Sequence, residues 1–192
     1  MKLYSQIKNS ILIMRIMKCS PTQLKPQDIV VLLRMLLWKE ERPWRFFDLS
    51  ADLRMSQSEV HQAVKRAQLA GLYDPLTKRP KRQALNEFII HGLKYAFPGS
   101  IGEIGEGLPT AHSAPPLSDQ IVSDSKAIYV WPKKGAKKRG NKIVPLHKNV
   151  PLVAKKFPDL YRLLALIDAL RVGRAREKEL AEKQITEMVM TV

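Results

Sequence analysis

Between Phe46 and Leu72 the sequence FFDLSADLRMSQSEVHQAVKRAQLAGL predicts two short helices and the turn that joins them. Phe46 to Leu53 puts Leu49 and Leu53 on one face, with the small Ser50 beside them. Ser56 is a good N-cap, and Glu59 three residues on can complete a capping box. Val60, Ala63, Val64 and Ala67 then hold a narrow apolar stripe at helical spacing, and Gly71 ends it. Opposite that stripe stand Gln57, Ser58, His61, Gln62 and Lys65. All are polar and none is acidic; Glu59, the one acid nearby, is accounted for by its cap. Amides and cations are the groups that read adenine and guanine edges in a major groove, where an acid would be repelled by phosphate. Two helices packed in any α domain can look like this, but cap, stripe, polar face and glycine stop all agree with a DNA-reading pair.

The segment from 46 to 72 resembles the helix-turn-helix of winged-helix transcriptional regulators, such as the MarR-like repressors. Leu49-Ser50 stands where that family has Leu-Ala, and Leu53-Arg54-Met55-Ser56 where it has Leu-Gly-aliphatic-Ser. Val60 and Val64 take the two apolar anchor positions, and Ala70-Gly71-Leu72 matches the exit from the recognition helix. Arg54 departs from the usual glycine, whose backbone tolerates the positive φ common in that turn. The resemblance implies a mainly α fold: a winged-helix-like helix-turn-helix domain with a small β-hairpin and C-terminal helices. It also implies a sequence-specific DNA-binding regulator, a dimeric repressor reading an operator with the 56–70 helix. The family places a β-hairpin wing after this point. Here YDPLTKRPKR carries two prolines and four basic residues in ten, which predicts a basic loop instead.

Charge agrees with an anionic partner. There are 33 Lys and Arg against 18 Asp and Glu, a net charge of +15, which suits nucleic acid or an anionic membrane surface. No stretch approaches the roughly 20 apolar residues of a membrane span. The lone Cys19 allows no disulfide within the chain, as expected in a reducing cytosol. Ile11 to Met17 is apolar but broken by Arg15, with no small-x-small cleavage site after it, and Lys18 spoils a lipoprotein-type site at Cys19. The expected location is the cytoplasm. Met14 and Met17 leave the true start codon open.

In chain order, residues 1–22 read as an arm or first helix, with Ile7, Ile11, Met14 and Met17 as a loose stripe. Residues 23–98 read as the helix-turn-helix domain. Pro26 opens its first helix, and Ile29, Leu32, Leu33, Leu36 and Leu37 give it a 3.6-residue stripe. Trp44 and Phe47 are expected beneath the two following helices. Ala84 to Tyr95 is a further amphipathic helix. Residues 99–126, rich in Gly, Pro and Ser, read as a long surface loop. Residues 127–150 read as a basic strand-loop-strand, AIYVW pairing with NKIVPLH across PKKGAKKRG. Ala127 to Pro158 holds nine Lys or Arg and no acid, so this flap could hold DNA phosphates in place of the missing wing and move freely without DNA. A solvated charged loop is the plainer alternative. In the C-terminal helical region, 151–192, Leu160, Leu163, Leu164, Ile167 and Leu170 form one stripe; Leu180, Ala181, Gln184, Ile185 and Met188 form another. The second is either a dimer element or packed on its own domain.

The phosphate-contact candidates are therefore Arg54, Lys78, Arg79, Lys81, Arg82, Lys133, Lys134, Lys137, Lys138 and Arg139. No enzyme is visible. His61, His91, His112 and His147 lack partners at metal-ligand spacing, and no Ser, His and Asp set sits in a nucleophile motif. Gly102, Gly105 and Gly107 fit no nucleotide-binding spacing. No cofactor is expected. The partners expected are double-stranded DNA and a second copy of the chain, with no membrane. The alternative is an antitoxin-like or adaptor protein that binds a protein partner, RNA, or both, through its basic surface.

Overall fold

The computed structural model describes residues 23–120 and 127–191; the expected N-terminal arm and Cys19 lie outside them. The architecture is mainly helical, with a two-strand ribbon and a separate three-strand barrel.

Helix α1 (Pro26–Leu36) is the centre of the core. Every residue from Asp28 to Leu36 is buried, so the helix is enclosed on all sides rather than along one stripe. That enclosure takes two charges inward, and each is answered from a neighbouring helix. Helices α2 (Phe46–Leu53) and α3 (Gln57–Leu69) pack across α1. Asp28 receives both Arg66 Nε and Nη2 from α3, at 2.7 and 2.6 Å, and also caps α1 by accepting from Lys25 N–H. Arg34 donates twice to Asp52 of α2, at 3.0 and 2.7 Å, while its guanidinium lies over the rings of Trp38 and Phe157.

Between α2 and α3 the chain turns through Arg54, which adopts the left-handed conformation at φ 53°, where the family resemblance leads one to expect glycine. Ser56 Oγ accepts from Glu59 N–H, and Glu59 Oε2 accepts from Ser56 N–H, completing the capping box. Past Gly71, at φ 75°, Tyr73–Asp74 (β1) and Arg79–Pro80 (β2) pair antiparallel. The basic loop expected here is thus a minimal hairpin. Prolines do not block it, because each strand is two residues long and Asp74 organises the turn by accepting from Leu76 N–H and the Thr77 hydroxyl. Trp44 is half-buried and fixes the hairpin through Nε1–H to the Lys78 carbonyl, at 2.8 Å. Phe47, expected beneath the helices, is instead 63% exposed.

Helix α4 (Arg82–Glu87) runs through a π-helical turn (Phe88–Gly92) into α5 (Leu93–Ala96). The surface loop expected over 99–126 is corrected by the structure as far as 120; 121–126 lie outside the described residues. Ile101–Pro109 is a nine-residue strand, β3, and the short 3-10 turns after it bury Ala111, His112 and Leu117. Strands β4 (Tyr129–Pro132) and β5 (Lys138–Ile143) both run antiparallel to β3 and parallel to each other, closing a small barrel. They are therefore not a hairpin. So short a link can join parallel strands because the two are offset: β4 faces Gly107–Pro109 and β5 faces Ile101–Gly107. Glycine permits the crossing, since a Cβ at Gly107 would overlap the Trp131 carbonyl and one at Gly140 the Ile128 carbonyl.

After α6 (Val150–Val153), helix α7 (Pro158–Val172) is buried from Leu163 to Leu170 and anchors the barrel. Its buried Asp168 accepts from the Thr110 hydroxyl, Trp131 Nε1–H and Arg171 Nη1–H. Burial pushes this carboxyl up, opposed by Arg171 and the two neutral donors. Helix α8 (Ala175–Thr191) folds back on α7 and α4, burying Ala181, Ile185 and Val189 against the chain itself. The stripe considered for pairing two copies is thus largely covered.

Candidate nucleic-acid interface

Helix α3 divides as its spacing requires. Val60, Ala63, Val64 and Ala67 are buried, while Gln57, Ser58, His61, Gln62, Lys65, Gln68 and Leu69 are exposed. All five residues expected to read bases therefore reach the surface together. They do not share one environment. His61 and Lys65 line a groove of about 610 Å³ between α3, the segment leading into α2 and the β1–β2 hairpin. Trp44, Phe46 and Tyr73 form its aromatic wall, with Trp44 edge-on to both other rings, and the His61 ring lies 5.3 Å from Phe46. Arg45 and Lys78 add two cations to the lining, which contains no carboxylate.

The basic residues expected on phosphates fall in three places. Lys78, Arg79 and Lys81 are exposed on or beside the hairpin. Arg82 departs from that group: it is half-buried and donates to the Met190 carbonyl of α8, at 3.2 Å. Lys134 and Lys137 lie exposed on the barrel turn, and Lys138 and Arg139 on β5 opposite Gly107 and Glu106. The turn, expected as a free loop of like charges, is tied at its start to Glu106. Lys133 N–H donates to the Glu106 carbonyl and Gly135 N–H to the Glu106 carboxylate, at 3.1 and 3.2 Å.

The third place joins barrel and helices. Asn149 Nδ2 donates to the Leu53 carbonyl at 3.3 Å and to the Arg54 carbonyl at 2.5 Å, capping the end of α2. This brings the segment 147–149 beside the start of α3. Glu59 is held below its usual carboxylate range mainly by the Ser56 N–H and hydroxyl, with smaller help from His147 and Lys148. Burial pushes His147 down, only partly offset by Glu59. Lys133 donates to the Pro151 carbonyl at 3.1 Å and stands close to Lys155 and Arg54. Burial first, then those two cations, lowers its ammonium from the usual lysine range.

Sequence reasoning gave no site role to His147, the last residue of the expected second strand, or to Lys148, Asn149 and Lys155 after it, which carry no motif. The excess of Lys and Arg from 127 to 158 was the available signal, and it did not show which cations meet α3. Acids around α3 are already engaged: Asp48 with Arg42 and Arg45, Asp52 with Arg34 and Lys156. Among the described residues no group of three or more His, Cys, Asp or Glu is placed to hold a metal, and no helix is long and apolar enough to cross a membrane. Comparison with family models, curated proteins and solved structures gives no match for this chain.

Proposed function

We propose that the chain is a sequence-specific DNA-binding transcriptional regulator of the winged helix-turn-helix kind, with α3 as the recognition helix and the β1–β2 hairpin as a reduced wing. One observation carries this reading. The exposed, acid-poor face of α3 lies between two basic flanks, Lys78 on the hairpin side and Arg54, Lys133 and Lys148 near its start. On such a surface the helix reads base edges and the flanks hold phosphates, which position the protein without reading sequence. A single helix covers few base pairs, so the operator is expected to be two-fold and bound by a dimer. The pairing surface is sought away from the α8 stripe, which the chain covers itself.

Selection of bound sites from random DNA, followed by footprinting, tests this directly. A two-fold sequence should emerge. Gln57→Ala or Gln62→Ala should then cost about 1–3 kcal/mol on that site and little on random DNA. Equal losses on both would remove the base-reading role from α3. A second reading, an adaptor that binds a protein partner or RNA, is favoured by Phe47, Leu69 and Leu76, exposed at 63%, 64% and 91% on these same elements. It is preferred if selection enriches no sequence.

A further inference from the structure

Arg54, Lys133 and Lys155 are gathered from three separate parts of the chain: the α2–α3 turn, the end of β4 and the residues after α6. None of the three is within ion-pair distance of a carboxylate among the described residues. Lys156, next to Lys155, is by contrast paired, meeting Asp52 at 2.9 Å. Two of the three are fixed by contacts elsewhere in the chain. Asn149 fixes the Arg54 carbonyl, Arg54 keeps its left-handed conformation, and the Pro151 carbonyl fixes the Lys133 ammonium. One N–H of that ammonium is used on Pro151, which leaves two to donate. A guanidinium and two ammoniums converging without a counter-ion offer several donors to one small polyoxygen anion.

We propose that Arg54, Lys133 and Lys155 form a single phosphate-binding site, taking one backbone phosphate of the duplex next to the start of α3. The choice of a nucleic-acid phosphate rests on the DNA reading above; the phosphate chemistry does not. Lys133 belongs to the barrel and Arg54 to the helical pair, so this phosphate would be held across the two. The site therefore fixes where α3 enters the groove.

The test uses the full chain with Arg54→Asn, Lys133→Gln and Lys155→Gln, singly and together, and Lys183→Gln on α8 as control. Asn tolerates the left-handed turn, and Gln at 133 can still donate to Pro151. Affinity for a random-sequence duplex is measured over a salt series. If the three share one phosphate, the triple variant loses about 0.9 from the slope of log K against log salt, and each single variant loses most of the same affinity. An unchanged slope overturns the site. A loss near three times that value overturns the sharing and means three separate contacts. In parallel, the Lys133 ¹³Cε resonance, assigned through Lys133→Gln, is followed while pyrophosphate or duplex is added. Movement with both supports the proposal. Movement with pyrophosphate alone keeps a phosphate site but overturns the duplex as its source. No movement with either overturns the site altogether. If Gln57→Ala and Gln62→Ala are without effect while the triple variant behaves as expected, α3 reading fails and the phosphate site stands.

Discussion

Helix α1 carries Asp28 and Arg34 into the core and meets each with an opposite charge from another helix; the barrel borrows its buried charge, Asp168, from α7. The helical half is thus aligned by paired side chains. The barrel is aligned by strands that touch through glycine. The two devices fail differently. Removing one partner of a buried pair leaves a charge without a counterpart, whereas adding one carbon at a crossing leaves no room. Perturbing each in turn shows whether the two halves are held independently.

Arg66→Met should have the largest effect, about 3–5 kcal/mol, because the Asp28 carboxylate stays fully buried without its partner. Adding Asp28→Leu should restore most of that, short of the roughly 1 kcal/mol lost with the α1 cap. Urea unfolding checks both, and a single variant within about 1 kcal/mol of the parent would show that the pair does not align α1 with α3.

Gly107→Ala or Gly140→Ala should come next, at about 2–3 kcal/mol, from overlap with the Trp131 or Ile128 carbonyl. Amide exchange should accelerate first across β3–β5, while α1–α3 keep their protection. Uniform acceleration would mean that the two regions open as one unit.

The smallest effect tests whether charge pairing matters away from the core. Asp48 accepts from Arg42 at 2.6 Å and from Arg45 N–H at 3.0 Å, and its carboxyl falls to about 2, chiefly through Arg42. Its folded value is below the unfolded one. Whatever stability it adds is therefore present above pH 3.8 and lost as pH falls from there towards about 2. Asp48→Asn should flatten that acid limb of a stability–pH curve and leave neutral pH almost untouched. An acid limb identical to the parent's would assign acid sensitivity elsewhere.

Local signals were legible in the sequence, and pairing at a distance was not. The Ser56–Glu59 box, the Gly71 stop and the proline at the start of α1 each act within a few residues, and the structure shows all three. Strand β3 was missed because Gly102, Gly105 and Gly107 resemble loop composition. Whether a glycine loosens a chain or lets another strand approach depends on residues far along the chain, Trp131 for Gly107 and Lys142 for Gly105. The same holds for Arg66. On a helical wheel it is one more cation, and only the enclosure of Asp28 makes it a structural one. In the candidate interface the α3 face and Arg54 before it could be read from the sequence, but the approach of His147 and Lys148 could not, since the Asn149 contact brings them there.

That Asn149 contact has a consequence for the order of events during synthesis. It spans 95 residues, from Arg54 to the segment beyond the barrel. The ribosome releases α2 and α3 well before residue 149, and both can form from their own caps and core contacts. The platform beside them stays half-built until the barrel and α6 have emerged. On the proposed DNA-binding reading, a nascent chain would present α3 early and complete the basic platform beside it only late.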